Sequence, residues 1–174
     1  MPGSSSQVGA YIVRGARAED LPGITSIYNE VIEHTTAVYL LEPTSVAERR
    51  AWFEARAAAG CPVLVAVGAD GVLGFASFGA FRAMPGYDAT VEHSVHVRAD
   101  CRGRGVGTRL LRELLPLARA AGKHVMVAAI DADNDGSLRL HDRLGFERVG
   151  QLHEVGRKFG RWLDVVLVQR VVDV

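Results

Sequence analysis

The sequence predicts a single α/β (α+β) domain in which helices flank a central mixed sheet. Three observations indicate this class: short β-branched runs, amphipathic segments with apolar residues every three or four positions, and turn residues between them. The 174 residues contain no internal repeat, and they are enough for a proper core. We assign residues 11–174 to this domain and residues 1–10 to a disordered leader or a cloning remnant.

The composition argues against several classes of protein. Lys and Arg together number 20, as do Asp and Glu, and a net charge of zero argues against nucleic acid as the main partner. The two cysteines are too few for a disulfide framework or a zinc site. No apolar run approaches the roughly 20 residues of a membrane span, and no signal peptide is visible. We therefore expect a cytoplasmic protein without a membrane partner.

The first half of the chain predicts a strand, two helices and a hairpin. Pro22 stands in the first turn of the first helix, where its missing N–H is harmless. Ser45 and Glu48 form a capping box that opens the second helix. The predicted bounds are a strand at 11–14, a helix from 21, an untyped loop at 34–43, a helix over 45–60, strands at 63–67 and 72–78, and a loop at 79–89.

The second half predicts a strand, a long helix, a buried strand, a short helix and a closing hairpin, which gives the order β-α-α-β-β-β-α-β-α-β-β. Pro116 lies inside the long helix, where it costs about 3 kcal/mol unless the helix kinks. The apolar face of this helix is predicted to be Val106, Leu110, Leu114, Leu117 and Ala121. The predicted bounds are strands at 90–97 and 124–130, a helix at 137–144, and strands at 146–154 and 162–172 around a loop at 156–160.

A glycine-rich turn joins the strand over 90–97 to the long helix. A helix start carries unpaired N–H donors and a partial positive charge, and glycines let an anion approach them. The turn is therefore suited to phosphate. It does not fit G-x-G-x-x-G, and no lysine precedes Thr108 as a mononucleotide loop requires. It does fit Arg/Gln-x-x-Gly-x-Gly/Ala, with Arg102, Gly105 and Gly107.

Together with the Val-Glu-x-Ser-Val-x-Val strand before it, this turn resembles the acyl-CoA loop of the GCN5-related N-acetyltransferases (GNAT). The resemblance implies the GNAT fold, a sheet splayed between the fourth and fifth strands, and acetyl-CoA as co-substrate. Of His96, where close relatives commonly have tyrosine, only the backbone is predicted to take part. The implied acetyl-CoA-binding residues are Val95, His96, Val97, Arg102, Gly103, Arg104, Gly105, Val106, Gly107, Thr108, Asn134 and Ser137.

Several further stretches resemble the phosphinothricin and methionine sulfoximine/sulfone N-acetyltransferase subgroup. The resemblance implies acetylation of the α-amine of a small amino-acid analogue with a tetrahedral, polar side-chain end, usually by a homodimer. The Gly156–Asp164 stretch is specific to the subgroup but suggests no mechanism. The stretches are residues 27–30, 90–95, 125–130, 140–141 and 156–164.

Two residues are candidates for proton transfer. Glu92 is the predicted general base, because the attacking amine must lose a proton and the match to the family favours this strand glutamate. His141 stands where many relatives have tyrosine, seven residues after Asn134, and it can return a proton to sulfur. A histidine packed beside acetyl-CoA with no proton to give is an equally good interpretation of His141.

The substrate is expected to bind near the strand over 90–97 and the loop before it. Arg82 is the candidate for gripping a substrate carboxylate, since a guanidinium matches it in fork geometry. A solvated loop arginine is the alternative. The full predicted set is Arg82, Ala83, Met84, Glu92, His93 and Ser94.

Residues 131–142 resemble a calcium loop, with Asp131, Asp133, Asp135, Gly136 and finally Asp142. The twelfth position is normally a glutamate, and two helices rather than a strand should flank the loop. We therefore predict no metal. Two alternatives to the main reading stay open: a GNAT enzyme for another amine, such as a protein N-terminus or an antibiotic, and a non-enzymatic sensor of CoA or calcium.

Overall fold

The computed structural model describes residues 10–172, so all but the last residue of the predicted leader lies outside the described residues. The helices and strands follow the predicted order. Among residues 10–172, no helix is long and apolar enough to cross a membrane. The elements are β1 Tyr11–Gly15, α1 Leu21–His34, α2 Val46–Ala58, β2 Val63–Gly68, β3 Gly71–Ala80, β4 Thr90–Val97, α3 Val106–Ala120, β5 Val125–Asp131, α4 Asp135–Arg143, β6 Glu147–Lys158 and β7 Arg161–Val171.

The strands form one mixed sheet in the order β1-β2-β3-β4-β5-β7-β6. Only β4 and β5 pair in parallel, and their pairing covers just three positions, from Thr90 opposite Val125 to Glu92 opposite Val127. Beyond that point β5 continues to pair with β7, whereas β4 continues to pair with β3. The sheet is therefore open between its fourth and fifth strands, and the predicted fold is confirmed.

Helices cover both faces of the sheet, and alternation along the strands divides the core between them. Val63 and Val65 pack in a cluster with Leu21 and Ile24 of α1. The intervening Leu64 and Ala66 belong to the cluster that contains the buried face of α3. This period of two is what a sheet buried on both faces requires.

The buried face of α3 differs from the predicted one at its C-terminal end. Leu110 and Leu114 are fully buried, but Leu117 is 38% exposed and Ala118 is buried in its place. The buried face of α3 therefore continues from Leu114 to the fourth residue along, Ala118, and not to the third, Leu117. The helix extends through Pro116 to Ala120.

The predicted loop at 156–160 is wrong, because β6 continues to Lys158 and β7 begins at Arg161. Only two residues join them, and both Phe159 and Gly160 have positive φ (50° and 74°). A two-residue hairpin with both φ angles positive matches the right-handed twist of its strands. Gly156, which the sequence suggested as a turn residue, lies inside the strand instead.

Candidate active site

The opening between β4 and β5 leaves part of the β4 backbone without a neighbouring strand. The Arg98 N–H donates to Leu73 of β3, and bonding in an antiparallel ladder alternates along the strand. This alternation assigns Ser94 and His96 to pairing with β3 and turns the N–H and C=O of Val95 towards the opening. The next carbonyl that points to the opening is that of Val97, and it accepts a hydrogen bond from Arg102 Nε at 3.0 Å.

A cavity of about 740 Å³, called here the loop cavity, lies against this opening and the glycine-rich turn. Eleven of the twelve predicted acetyl-CoA-binding residues line it, and only Arg104 does not. The eleven are Val95, His96, Val97, Arg102, Gly103, Gly105, Val106, Gly107, Thr108, Asn134 and Ser137.

The glycines of the turn have the conformations that an anion-binding loop needs. Gly103 and Gly105 have φ of 72° and 81°, and Gly105 is the N-cap of α3. A Cβ on Gly107 would lie 3.1 Å from Leu140, so this glycine lets α3 start close to α4. Arg102 ties the turn down by an ion pair with Glu30 at 2.7 Å. The first amides of α3 then face the cavity without intrahelical partners, which fits the phosphates of acetyl-CoA.

A second cavity of about 470 Å³, called here the charged cavity, lies on the other side of the opening. Glu92, His93 and Ser94 of β4 line it, as predicted for substrate contacts. Burial raises the pKa of Glu92, while the charges of Arg56 and Arg82 lower it to a smaller degree. Neither arginine forms an ion pair with Glu92 in the described part of the chain. The two cavities share five residues in their walls: Ala37, Val95, His96, Asn134 and Ser137.

Two arginines of α2 that the sequence analysis missed also line the charged cavity. Arg49 is 7% exposed, with its guanidinium carbon 3.9 Å from the Trp52 ring centre and 4.2 Å from that of Tyr28. A Cβ at Gly79 would lie 1.4 Å from the Nη1 of Arg56, so that guanidinium uses space that only glycine leaves. The Nε atoms of both arginines are buried without a hydrogen-bond partner in residues 10–172. Arg49 and Arg56 lie three residues before and four residues after Trp52, which places all three on one face of α2. This spacing was the signal in the sequence that both arginines point inward.

His141 is 2% exposed, and both of its ring nitrogens are engaged. Its Nδ1 lies 2.7 Å from the Ser137 carbonyl oxygen, which can only accept, so Nδ1 carries the proton. Its Nε2 lies 3.1 Å from Nε2 of His93, which must then be the donor. His93 is left with a buried, unpartnered Nδ1. Burial is the main cause that lowers the pKa of both rings, that of His93 to about 3.

Three of the predicted substrate-binding residues lie away from both cavities, and the side chain of His96 belongs to the core. Arg82, Ala83 and Met84 are exposed and line neither cavity, and the Arg82 guanidinium carbon is 5.0 Å from the Phe81 ring centre. The His96 ring is buried between Tyr28 and Phe75, and burial lowers its pKa to about 4.

The acidic residues that resemble a calcium loop have other partners. Asp133 pairs with Arg161 at 2.8 Å, and Asp142 pairs with Arg148 at 3.0 Å. Asp131 accepts the backbone N–H of Asp133 at 2.8 Å. Across residues 10–172, no group of three or more His, Cys, Asp or Glu side chains is placed to hold a metal ion.

Comparison with known proteins agrees with this geometry. The chain is 53% identical over 162 residues to an L-methionine sulfoximine/L-methionine sulfone acetyltransferase of Pseudomonas paraeruginosa, covering 92% of this chain and 94% of the relative. Its fold matches a GNAT superfamily phosphinothricin acetyltransferase from Sinorhizobium meliloti, solved with acetyl-CoA (38% identity, TM-score 0.90, 93% and 88% of the two chains). It also matches a ribosomal-protein-alanine N-acetyltransferase from Brucella melitensis (42% identity, TM-score 0.90, 92% and 99%). The model of the acetyltransferase (GNAT) family matches residues 24–146, and this chain belongs to that family.

Proposed function

We propose that this enzyme transfers the acetyl group of acetyl-CoA directly to the α-amine of a small amino acid. The substrate has a side chain that ends in a tetrahedral, oxygen-bearing group, as in methionine sulfone, methionine sulfoximine or phosphinothricin. The observation that carries the proposal is the charged cavity, which is lined by Glu92 and by two arginines whose Nε atoms are buried without a hydrogen-bond partner among residues 10–172. The relatives named for these substrates support the same choice.

The loop cavity is the proposed site of acetyl-CoA, which supplies the acetyl group as a reactive thioester. The amides at the start of α3 and the glycines before it would hold the phosphates. The exposed N–H and C=O of Val95 would pair with the amide groups of the extended arm, as an added strand would. These contacts bring the thioester to the opening where the two cavities meet.

Glu92 is the proposed general base. An amino-acid α-amine is mostly protonated at neutral pH and cannot attack a carbonyl carbon in that form. Glu92 takes the proton, the C–N bond forms as the C–S bond breaks, and the thiolate that leaves takes up a proton in turn. Because desolvation raises the pKa of Glu92, this carboxylate is a better proton acceptor than a glutamate with an ordinary pKa.

His141 is proposed to position α4 rather than to donate the proton to sulfur. Its only N–H is held by the Ser137 carbonyl, and its other nitrogen accepts from His93. Donation to sulfur would require this pair of contacts to break. The competing prediction, a donor role, is tested by replacing His141 with Phe, which would then abolish turnover.

Each arginine of the charged cavity is assigned one end of the substrate. Arg56 lines the charged cavity together with Glu92, whose pKa it lowers, so it would hold the carboxylate, which is one carbon away from the amine. Arg49 lies deeper, beside Tyr28, Trp52 and Phe75, and would bind the oxygens at the end of the side chain. A peptide N-terminus has no free carboxylate at this position, and this favours amino acids over proteins.

The burial of Cys101 supports direct transfer of the acetyl group over transfer through an acyl-cysteine intermediate. Cys101 lines the loop cavity, but it is 3% exposed and burial raises the pKa of its thiol. A protonated thiol is a poor nucleophile and a poor acyl carrier. A ternary complex therefore remains the simpler route.

Turnover of a panel of amines tests the proposal, with CoA release followed by a thiol-reactive dye. We expect methionine sulfone, methionine sulfoximine or phosphinothricin to react at least about tenfold faster than methionine at low concentration. Turnover of a peptide N-terminus alone would transfer the chemistry to protein substrates. Binding of acetyl-CoA without turnover of any amine would favour a sensor.

A homodimer is part of the proposal, and the edge of the sheet supports it. Strand β6 pairs with β7 on one side only, and large apolar side chains on this hairpin are half exposed. Examples are Leu152, Val155 and Trp162, at 46%, 50% and 58%. Light scattering after size exclusion should give twice the chain mass. The cytoplasmic location also stays a prediction.

A further inference from the structure

The Gly156–Asp164 stretch contributes Phe159 and Arg161 to the wall of the loop cavity, and it also contacts the loop between α1 and α2. We propose that Lys158 is a positioning residue that, with Gly156, holds residues 35–38 in place as a wall shared by the two cavities. The proposal rests on the proposed function, since it names what shapes both substrate sites. Three sets of contacts carry it.

Lys158 is a buried ammonium group bound to backbone carbonyls. It is 4% exposed, and its Nζ donates to the carbonyl oxygens of Ile32 at 2.5 Å and Val38 at 2.7 Å. Ile32 lies in the last turn of α1, where carbonyls lack helical partners and a cation is favoured. Among residues 10–172, Lys158 has no carboxylate partner. One ammonium group therefore joins the end of α1 to the loop that follows it.

Gly156 receives the ring of Tyr39 from the same loop. A Cβ on Gly156 would lie 2.2 Å from the Tyr39 Cε2 atom, closer than real atoms approach. The Tyr39 hydroxyl lies 3.4 Å from both Asp131 Oδ2 and the Asp164 carbonyl oxygen. The glycine in the middle of β6 therefore leaves room for a side chain of the loop, not for a turn.

Asp164 fixes the irregularity that directs β6 towards the loop. The register between β6 and β7 shifts between Leu152 and Gly156, and Glu154 has φ of 54° there. The Asp164 carboxylate accepts the N–H of Glu154 at 2.9 Å and lies 2.8 Å from His153 Nδ1. Such a bulge bends a strand and re-aims the side chains beyond it. The Gly156–Asp164 stretch thus forms one unit that ends on the loop.

The loop held in this way borders both cavities. Thr35, Thr36 and Ala37 line the loop cavity, while Ala37 and Val38 line the charged cavity. A change in the position of residues 35–38 should therefore alter the binding of acetyl-CoA and of the amine together. Glu92 lies on β4, away from these contacts, so the proton-transfer step should be affected much less.

Lys158→Met, which keeps the length of the chain but removes the donors, is the first variant. We expect the KM of both substrates to rise about tenfold and kcat to change less than about twofold. Amide hydrogen exchange in residues 35–38 should become faster. Lys123→Met is the matched control, because Lys123 also donates to a carbonyl, that of Asp88 at 2.7 Å, but is only partly buried and lines neither cavity.

Gly156→Ala keeps Lys158 but should push the ring of Tyr39 out of its place beside β6. It therefore tests the same wall, residues 35–38, if Lys158→Met does not fold. Gly150→Ala on the same strand is its control, since a Cβ there meets nothing within 4 Å. Wild-type KM values in folded Lys158→Met or Gly156→Ala would overturn the proposal, as would a rise for one substrate alone. If the wild type acetylated no amine, the proposed function would fail, and the acetyl-CoA affinity of the variants by calorimetry would still test the wall.

Discussion

The two cavities that meet at the opening between β4 and β5 are built in different ways. The loop cavity is centred on one continuous stretch, the end of β4, the glycine-rich turn and the start of α3, and residues of the α1–α2 loop, of α4 and of the β6–β7 hairpin complete its walls. The charged cavity is made of residues from α1, α2 and the loop between them, from β3, β4 and β5, and from α4, which are far apart in the sequence. A site built around one turn can be recognised in the sequence by glycines at fixed spacing. A site built from side chains that are distant in the sequence produces no local motif.

The difference also separates two kinds of specificity. Backbone amides and a helix N-terminus can bind phosphate in any chain with this turn, so the loop cavity is suited to a co-substrate common to the family. The charged cavity depends on which side chains α2 and β4 carry, and these can change without disturbing the sheet. Substitutions of residues that line only one cavity should therefore leave the other substrate's KM unchanged.

Glu92→Gln should have the largest effect. We expect kcat to fall about 10²- to 10⁴-fold with the KM of acetyl-CoA unchanged, because a general base contributes about that much. In the wild type, kcat should fall as the pH drops below the raised pKa of Glu92, where the carboxylate becomes protonated. The variant should lose this dependence. Glu113→Gln is the control, on an exposed carboxylate paired with Arg109; unchanged kinetics for Glu92→Gln would contradict the assignment.

Arg49→Met should remove the preference for an oxygen-bearing side chain. We expect the ratio of kcat/KM for methionine sulfone over methionine to fall about 10- to 100-fold, as a hydrogen bond to a charged group is lost. The KM of acetyl-CoA should not change. Arg50→Met, at the exposed neighbouring position, should keep the ratio. An unchanged ratio in Arg49→Met would assign the side-chain end to other residues.

Gly105→Val should act on the loop cavity alone, raising the KM of acetyl-CoA about tenfold because the side chain blocks the approach to the amides. Gly122→Val is the matched control, since Gly122 follows the end of α3 with φ of 70°, close to the 81° of Gly105. Both variants should lose about 1–2 kcal/mol of stability from backbone strain. An equal acetyl-CoA KM in the two variants would mean that the turn does not touch this substrate.

The prediction with the smallest consequence for turnover concerns the buried histidines of β4. The pKa values of His93 and His96 are lowered from 6.5 to about 3 and about 4, so the unfolded chain binds protons first as the pH falls. The free energy of unfolding should therefore decrease between about pH 6.5 and pH 4, by up to about 1.4 kcal/mol per pH unit for each histidine. In His96→Tyr, the free energy of unfolding measured with denaturant should depend less steeply on pH than in the wild type. An identical pH dependence would argue against a buried, neutral histidine.

Much of the fold and of the loop cavity could be predicted from the sequence, because local patterns determine them. The capping box at Ser45 is present, and the helix begins at the next residue, Val46. The failures came where a distant residue decides the local structure. Gly156 is a typical turn residue, but it lies in a strand, where its missing side chain leaves room for the ring of Tyr39. Arg49 and Arg56 could not be assigned to the charged cavity, since β3 and β4, which complete it, lie further along the chain.

The central claim is that the charged cavity holds the substrate carboxylate on Arg56. The most direct measurement is kcat/KM of Arg56→Met and Arg82→Met with methionine sulfone and with its carboxamide. We predict that Arg56→Met loses about 10- to 100-fold on the carboxylate substrate and little on the carboxamide, while Arg82→Met behaves like the wild type. Loss of the carboxylate preference in Arg82→Met, with Arg56→Met unaffected, would contradict the account and restore the arginine that the sequence predicted.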